Sequence, residues 1–344
     1  MELRIEAVSP PEIHCRVVVG GVLSSHKGVT VPRGALSLAA FTPQDQEHLR
    51  VGLALGADIV ALSFVRSPAD IAALRAFLAE HQAEVPVMAK IEKPEALDVF
   101  DALLASVDAV MVARGDLGVE VPLAEVPLIQ KRLVHQAVQA AKPVVVATQM
   151  LRSMVDNPRP TRAEAADVAN AVFDGADALM LSEETAVGAY PVAAVRVMAD
   201  IVAAAERHWL AQRGTTFFAT PETCSPSAAL AHAACLLALE ARAAAIVCCT
   251  RTGRTAQLVA RHRPRTPIVA VSPAASTVRR LMLTWGVVPV QAEGFTSTDA
   301  MLQAALAAAR QSGVVQPGER VVVVGGAPTA PPGHTDFLRL AVVR

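Results

Sequence analysis

The chain has 344 residues, is 53% hydrophobic and only 3% aromatic, and carries a formal net charge of −1. That length suits two domains with cores built from Ala, Val and Leu. The near-neutral balance leaves no electrostatic footprint for nucleic acid or an anionic membrane surface, and no uncharged apolar run is long enough to span a bilayer.

Residues 1 to about 40 read as β-structure, with β-rich runs at 3–8 and 13–19 broken by Pro10-Pro11 and Gly20-Gly21. Acidic residues interrupt this stretch and no apolar core follows, which argues against a signal peptide. From Thr42-Pro43-Gln44-Asp45, a helix start, strands and helices alternate. Strands are expected at 58–64, 85–91, 108–113, 143–148 and 178–181, with a capping box at Thr161–Glu164. Near-continuous apolar strands alternating with helices predict a parallel sheet covered by helices. The pattern lapses around 212–227, where a domain boundary is expected. A second α/β unit follows, with helices at 228–241, 254–262, 275–285 and 297–311 and strands at 245–249, 267–271, 287–290, 320–325 and 338–343. The first α/β block shows five strand–helix units, whereas a closed (β/α)8 barrel needs eight.

Several strands end in chemistry. MAKIE (88–92) delivers Lys90 and Glu92, which alternate on one face with Ile91 between them. VMVARGDLGVEVP (110–122) delivers Arg114 and Asp116, and the Gly115-Asp116 turn can open backbone N–H groups toward an anion. VATQML places Thr148 at a third strand end, and LSEET brings Glu183 and Glu184 to another; of these two, Glu184 suits a structural role, tying strand ends together. A lysine, two carboxylates and a Gly-Asp turn suit a divalent metal holding a phosphate or an enolate. Taken singly, each motif also fits a blander role: a structural Lys–Glu pair, a capping Asp, an ordinary strand threonine. Arg159 and Arg162, in a Pro-stiffened loop, serve loop rigidity and helix capping as readily as anion steering. In the second unit, Thr250-Arg251-Thr252-Gly253-Arg254-Thr255 joins a strand to a helix and has the composition of a phosphate cradle without the Walker lysine. The five cysteines, Cys15, Cys224, Cys235, Cys248 and Cys249, show no CxxC or zinc spacing, so reduced thiols and a cytoplasmic location are expected.

In this order MAKIE, MVARGDLGVE followed by PLIQKR, VATQML, NPRPTRAEAADVANAVFDGADALMLSEETAVGAYP and TRTGRTAQLVARHRP closely resemble pyruvate kinase, from about residue 15 to the C-terminus. The resemblance implies an α/β fold: a β lid remnant at 1–40, a partial parallel (β/α)8 TIM-type barrel of about five units at 41–212, and an effector-type α/β domain with a mostly parallel sheet at 213–344. It implies phosphoryl transfer from phosphoenolpyruvate to ADP, giving pyruvate and ATP, with Mg²⁺ (or Mn²⁺) and K⁺. By matched motif, Lys90 would stabilise the moving phosphoryl group, and Glu92 and Asp116 would ligate the metal. Gly115, Asp116 and Arg114 would line the substrate site, and Thr148 would contact substrate and assist enolate protonation. Lys27, in HKGVTVPRG, would contact the nucleotide. Thr250, Thr252, Gly253, Arg254 and Thr255 would hold the phosphate of a sugar-phosphate effector. A homo-oligomer, by resemblance a tetramer, is implied.

The sequence departs from the family pattern in three places. Thr30 stands where Asn is usual, and Glu183 where Gly is common. The family's phosphate arginine and K⁺ ligands lie in a segment not found here, so the chain is expected to begin in the last lid strands. Overall turnover by this chain alone is therefore expected to be low or nil, with Mg²⁺-dependent proton exchange into pyruvate the step that survives. Two other readings stay open: a non-catalytic effector-binding or assembly subunit, and a Mg²⁺-dependent enolate lyase or aldolase.

Overall fold

The computed structural model describes residues 1–23, 25, 38–212, 225–327 and 334–344. Two compact units result, Met1–Ser37 and Leu38–Arg344. In the first, β1 (Glu2–Ser9) and β2 (Glu12–Val19) form an antiparallel hairpin. Lys27 and Thr30 lie outside the described residues, as does most of the 212–227 stretch expected to hold the domain boundary.

The second unit opens with α1 (Pro43–Ala54), whose N-cap Thr42 and Asp45 form a reciprocal capping box. Then follow β3 (Val60–Leu62), α2 (Pro68–Glu80), β4 (Val87–Ile91), α3 (Pro94–Asp98), α4 (Phe100–Ser106), β5 (Ala109–Ala113), α5 (Arg114–Glu120), α6 (Val126–Gln139), β6 (Val144–Ala147), α7 (Arg162–Asp174), β7 (Ala178–Met180), α8 (Glu183–Ala186) and α9 (Pro191–Gln212). The five strands pair in chain order, β3-β4-β5-β6-β7, all parallel. This is five of the eight strands of a closed (β/α)8 barrel.

Alternate strand residues enter different cores, as the two-residue strand period requires. Val87, Ala89, Ile91, Val110, Val112, Val144 and Val146 pack among the helices. Met88, Ala109, Met111, Val145 and Ala147 form a separate cluster on the other face. Lys90 shares the parity of Met88 and so belongs to that second face, the interior of a barrel.

Two expected strands stop early, for one reason. The 58–64 strand ends at Leu62 because Phe64 turns left-handed (φ 55°), and the 143–148 strand ends at Ala147 because Thr148 and Gln149 do the same (φ 72° and 56°).

The second sheet is built from α10 (Pro226–Glu240), β8 (Ala245–Cys249), α11 (Arg254–Ala260), β9 (Ile268–Ser272), α12 (Ala275–Leu281), β10 (Val287–Gln291), α13 (Thr298–Gln311), β11 (Arg320–Gly325) and β12 (Phe337–Val342). Its order is β10-β9-β8-β11-β12, parallel except for the β11–β12 pair. Residues of α10 and α11 cover one face, with Ile246 and Cys248, while α13 covers the other, with Ala245, Val247 and Cys249. Burial pushes the Cys235 and Cys249 thiols up to about 12 and also raises Cys248 well above the ordinary thiol value, so these three act as small apolar core residues. Among the described residues no helix is long and apolar enough to cross a membrane.

Candidate active site

Successive parallel strands deliver their C-terminal residues to one rim, the end where parallel α/β sheets carry their polar chemistry. Lys90 lies near the end of β4, and its Nζ donates to Ser63 Oγ, just beyond β3, at 2.7 Å. The same ammonium sits 2.6 Å from Glu92 Oε1. Glu92 is 1% exposed. Its Oε2 accepts the backbone N–H of Phe64 at 2.6 Å, and this bond holds the left-handed Phe64 in place. Its Oε1 meets the Lys90 ammonium in a close ion pair. Each carboxylate oxygen has further lone pairs beyond the one the ammonium or the amide engages, so the group can also meet a metal cation.

The next strand carries Arg114, Gly115 and Asp116 into α5. Asp116 is exposed in the first turn of that helix. Glu92 and Asp116 thus leave neighbouring strands, β4 and β5, at the same end. Among the described residues no group of three His, Cys, Asp or Glu side chains could hold a metal, so a cation there would draw its remaining ligands from substrate and water. Two carboxylates leaving neighbouring strands at one end fit a hard divalent ion of that kind.

Arg114 and Gly115 differ from their sequence expectation. Arg114 turns inward: Nη1 donates to Asp167 Oδ1 at 2.7 Å and Gln130 Oε1 at 3.3 Å, and Nη2 donates to the Thr148 carbonyl at 2.8 Å. The Gly115 amide donates to Thr148 Oγ1 at 2.6 Å, and that hydroxyl in turn donates to the Ala147 carbonyl at 2.6 Å. The amide expected to face a substrate carboxylate therefore holds the threonine instead.

Glu184, 2% exposed, ties two strand ends together. Its Oε1 accepts from Leu151 N at 3.0 Å and its Oε2 from Ser182 N at 2.8 Å. Glu183 points outward and pairs with Arg152 at 2.7 Å. Gly188 is obligatory: a Cβ there would stand 2.5 Å from the Glu184 carbonyl. Arg159 and Arg162 are exposed. Glu164 caps α7 through Thr161 and also accepts from Ser153 N and Oγ at 2.7 and 2.5 Å. Partial burial raises its pKa, but the hydrogen bonds from Ser153 and Thr161 outweigh that and hold it below the usual glutamate value.

The 250–255 segment departs furthest from expectation. Thr250 Oγ1 accepts from Gly253 N at 2.9 Å, and Thr255 Oγ1 lies 3.0 Å from Thr335 Oγ1. Gly253 is left-handed (φ 89°), with Leu281 3.1 Å from where a Cβ would stand. Arg254 reaches across to the end of α6, donating to the Ala141 carbonyl at 2.8 Å and the Ala140 carbonyl at 3.3 Å. Burial, with Arg261 nearby, draws its guanidinium below the ordinary arginine range. Thr252 alone of the five expected cradle residues has an exposed side chain.

Arg254 is one of a set at the base of the first sheet. Arg261 donates to the Gln139 carbonyl at 3.2 Å, and Arg263 to the Gly175 carbonyl at 2.6 Å. Arg265 reaches Leu210 and Ala211 at 2.8 and 3.0 Å. Each guanidinium meets the unpaired carbonyls that end a helix, where positive charge is also favoured by the helix dipole. Aspartates that begin the strands complete the base. Asp177 accepts from Arg263 Nη1 at 3.1 Å, Trp285 N at 3.0 Å and Val144 N at 3.0 Å. Asp108 accepts from Val87 N at 2.8 Å and Arg75 at 2.9 Å. Asp58 takes Arg279 Nε on both oxygens at 2.8–2.9 Å, which holds its pKa below the usual aspartate range. The reading of the sequence missed these pairs. Their signal is the recurring Gly-Ala-Asp or Val-Asp before a strand, at 56–58, 107–108 and 175–177.

Two α/β sheets with a lysine–carboxylate rim on the first define a barrel-type α/β protein, and comparison with known proteins narrows the class. The family model "Pyruvate kinase, barrel domain" matches residues 1–195, and "Pyruvate kinase, alpha/beta domain" matches residues 228–341. "Pyruvate kinase 2" of Synechocystis is 46% identical over all of this chain, which spans 58% of that relative's length. "Pyruvate kinase" of Clostridium acetobutylicum is 42% identical over 99% of the chain and 72% of its own length. "Pyruvate kinase" of Mycobacterium tuberculosis is 44% identical over 98% of the chain and 71% of its own length. The chain belongs to the pyruvate kinase family.

Proposed function

We propose that the rim acts in transfer of the phosphoryl group of phosphoenolpyruvate to ADP, giving ATP and, after protonation of the enolate, pyruvate. The observation that carries this reading is the Lys90–Glu92 ion pair at 2.6 Å, delivered to the same end of the parallel sheet as the exposed Asp116. Glu92 and Asp116 would hold Mg²⁺ or Mn²⁺, which when bound supplies positive charge to the phosphoryl and enolate oxygens. The Lys90 ammonium faces the phosphoryl group as it leaves the enol oxygen for the terminal oxygen of ADP. Thr148 holds its hydroxyl at the rim to contact the substrate and assist proton delivery to the methylene carbon of the enolate. Asp116 lies against the substrate, while Arg114 and the Gly115 amide support it from behind by shaping the Thr148 turn.

The same proposal includes the division into lid remnant (1–40), partial barrel (41–212) and effector-type domain (213–344), the K⁺ requirement, a homo-oligomer and a cytoplasmic location. No described residue is assigned to K⁺. The 250–255 turn offers a sugar phosphate the exposed Thr252, with Arg254 engaged at α6.

The test is a coupled assay for pyruvate from phosphoenolpyruvate and ADP with Mg²⁺ and K⁺, run beside Mg²⁺-dependent solvent-proton exchange into the methyl group of pyruvate. Exchange is expected even where overall turnover is low. A folded chain that shows neither would sink the proposal. Release of pyruvate from a hydroxy acid without ADP would favour a lyase.

A further inference from the structure

We infer that Asp167, on α7, is a positioning residue that sets the Thr148 hydroxyl through Arg114; the inference rests on the reading of Thr148 given above. Thr148 and Gln149 are consecutive left-handed residues, φ 72° and 56°. A β-branched threonine disfavours that conformation and keeps it only where the surroundings over-determine it. Here the constraint is a chain of contacts. The Thr148 carbonyl accepts from Arg114 Nη2 at 2.8 Å. Arg114 Nε lies 3.4 Å from the Ala147 carbonyl, and Nη2 is 2.8 Å from Met150 Sδ. The other edge of the guanidinium is fixed by Asp167 Oδ1 at 2.7 Å and by Gln130, which is itself held by Asp174 Oδ2 at 2.8 Å. Asp167 and Asp174 stand seven residues apart on α7, two turns along one face. The helix therefore presents two carboxylates that aim one arginine at one turn. With the carbonyl pinned, the hydroxyl is left between the Gly115 amide and the Ala147 carbonyl, each at 2.6 Å. Asp167 touches none of the rim groups proposed to meet substrate, so it acts only through Arg114.

The experiment measures Mg²⁺-dependent proton exchange into pyruvate by the whole chain, comparing Asp167→Asn, Asp167→Glu, Thr148→Val and the double variant Asp167→Asn/Thr148→Val. Far-UV circular dichroism checks each fold. Asp167→Asn should lower the maximal exchange rate by about 10²-fold, the cost of a small misplacement of a reacting group, with Asp167→Glu recovering part of it. In the double variant Asp167→Asn should add no more than about a twofold loss to Thr148→Val alone, because both changes remove one function. Losses that multiply, or an Asp167→Asn protein as fast as its parent, would overturn the inference. If the parent itself exchanges no protons, the functional reading has failed and the positioning is judged by a crystal structure of Asp167→Asn. Thr148 leaving its left-handed conformation, or its hydroxyl moving beyond about 3.5 Å from the Gly115 amide, would support it. An unchanged turn would overturn it.

Discussion

The two ends of the first sheet use the same residue types for opposite purposes. At the base, Asp58, Asp108 and Asp177 and the arginines facing them have exchanged their hydrogen bonds with backbone and with one another. At the rim, the Glu92 carboxylate is paired with the Lys90 ammonium and Asp116 is exposed. Three rim residues, Phe64, Thr148 and Gln149, hold left-handed backbone without being glycine. Charges that hold backbone ends together are structure, while a lysine–carboxylate pair at the same sheet end as an exposed aspartate marks a place suited to chemistry.

The comparison breaks if rim substitutions unfold the protein or base substitutions silence it. The largest effect on activity is expected for Lys90→Met, which should lower Mg²⁺-dependent exchange by about 10³-fold, the scale of losing one preorganised charge. Because it also leaves the buried Glu92 carboxylate without its ammonium, the melting temperature should fall while the protein stays folded at the assay temperature. Next is Arg263→Ala. Asp177 has a side chain 4% exposed, and leaving such a charge without its partner costs about 3–5 kcal/mol. Thermal melts should show this loss with the residual folded protein still exchanging protons. Arg254→Ala should cost about 1–3 kcal/mol for the two α6 carbonyls left bare, again read by melting. Calorimetry should find its sugar-phosphate affinity equal to that of the parent, and a lost affinity would return Arg254 to the effector site. The smallest effect is Glu164→Gln, about 1 kcal/mol at neutral pH from a weakened cap. The folded pKa of Glu164 lies below its unfolded value, so its contribution is complete above the ordinary glutamate pKa of about 4.3 and is lost as pH falls through the folded value. The difference in melting temperature between parent and variant should narrow across that acid window.

What the sequence disclosed depended on how far apart the partners lie. The Thr42–Asp45 and Thr161–Glu164 caps span three residues and are readable as written. Lys90 and Glu92 share a face through the strand period alone. The partner of Lys90 is Ser63, 27 residues back on the next strand, and nothing local points to it. Thr148 reads as one more strand residue because β-branching favours extended backbone, and only the Arg114 contact from the neighbouring strand end turns it left-handed. Arg254 sits in a phosphate-cradle pattern, yet its partner is the end of α6, 113 residues away. Local composition draws attention to the residue, and a partner distant in sequence sets the direction of its side chain.

Asp177 bonds at once to β6, through Val144, and to the second sheet's elements, through Arg263 and Trp285. One carboxylate thus bridges both halves of the Leu38–Arg344 unit, and the arginines that meet the ends of α6, α7 and α9 repeat the link. Neither sheet can loosen without exposing charges the other has neutralised. Heat should therefore find one cooperative melting event, not a sequence of domain transitions, and the stability of the first sheet is set in part by residues that never approach its rim.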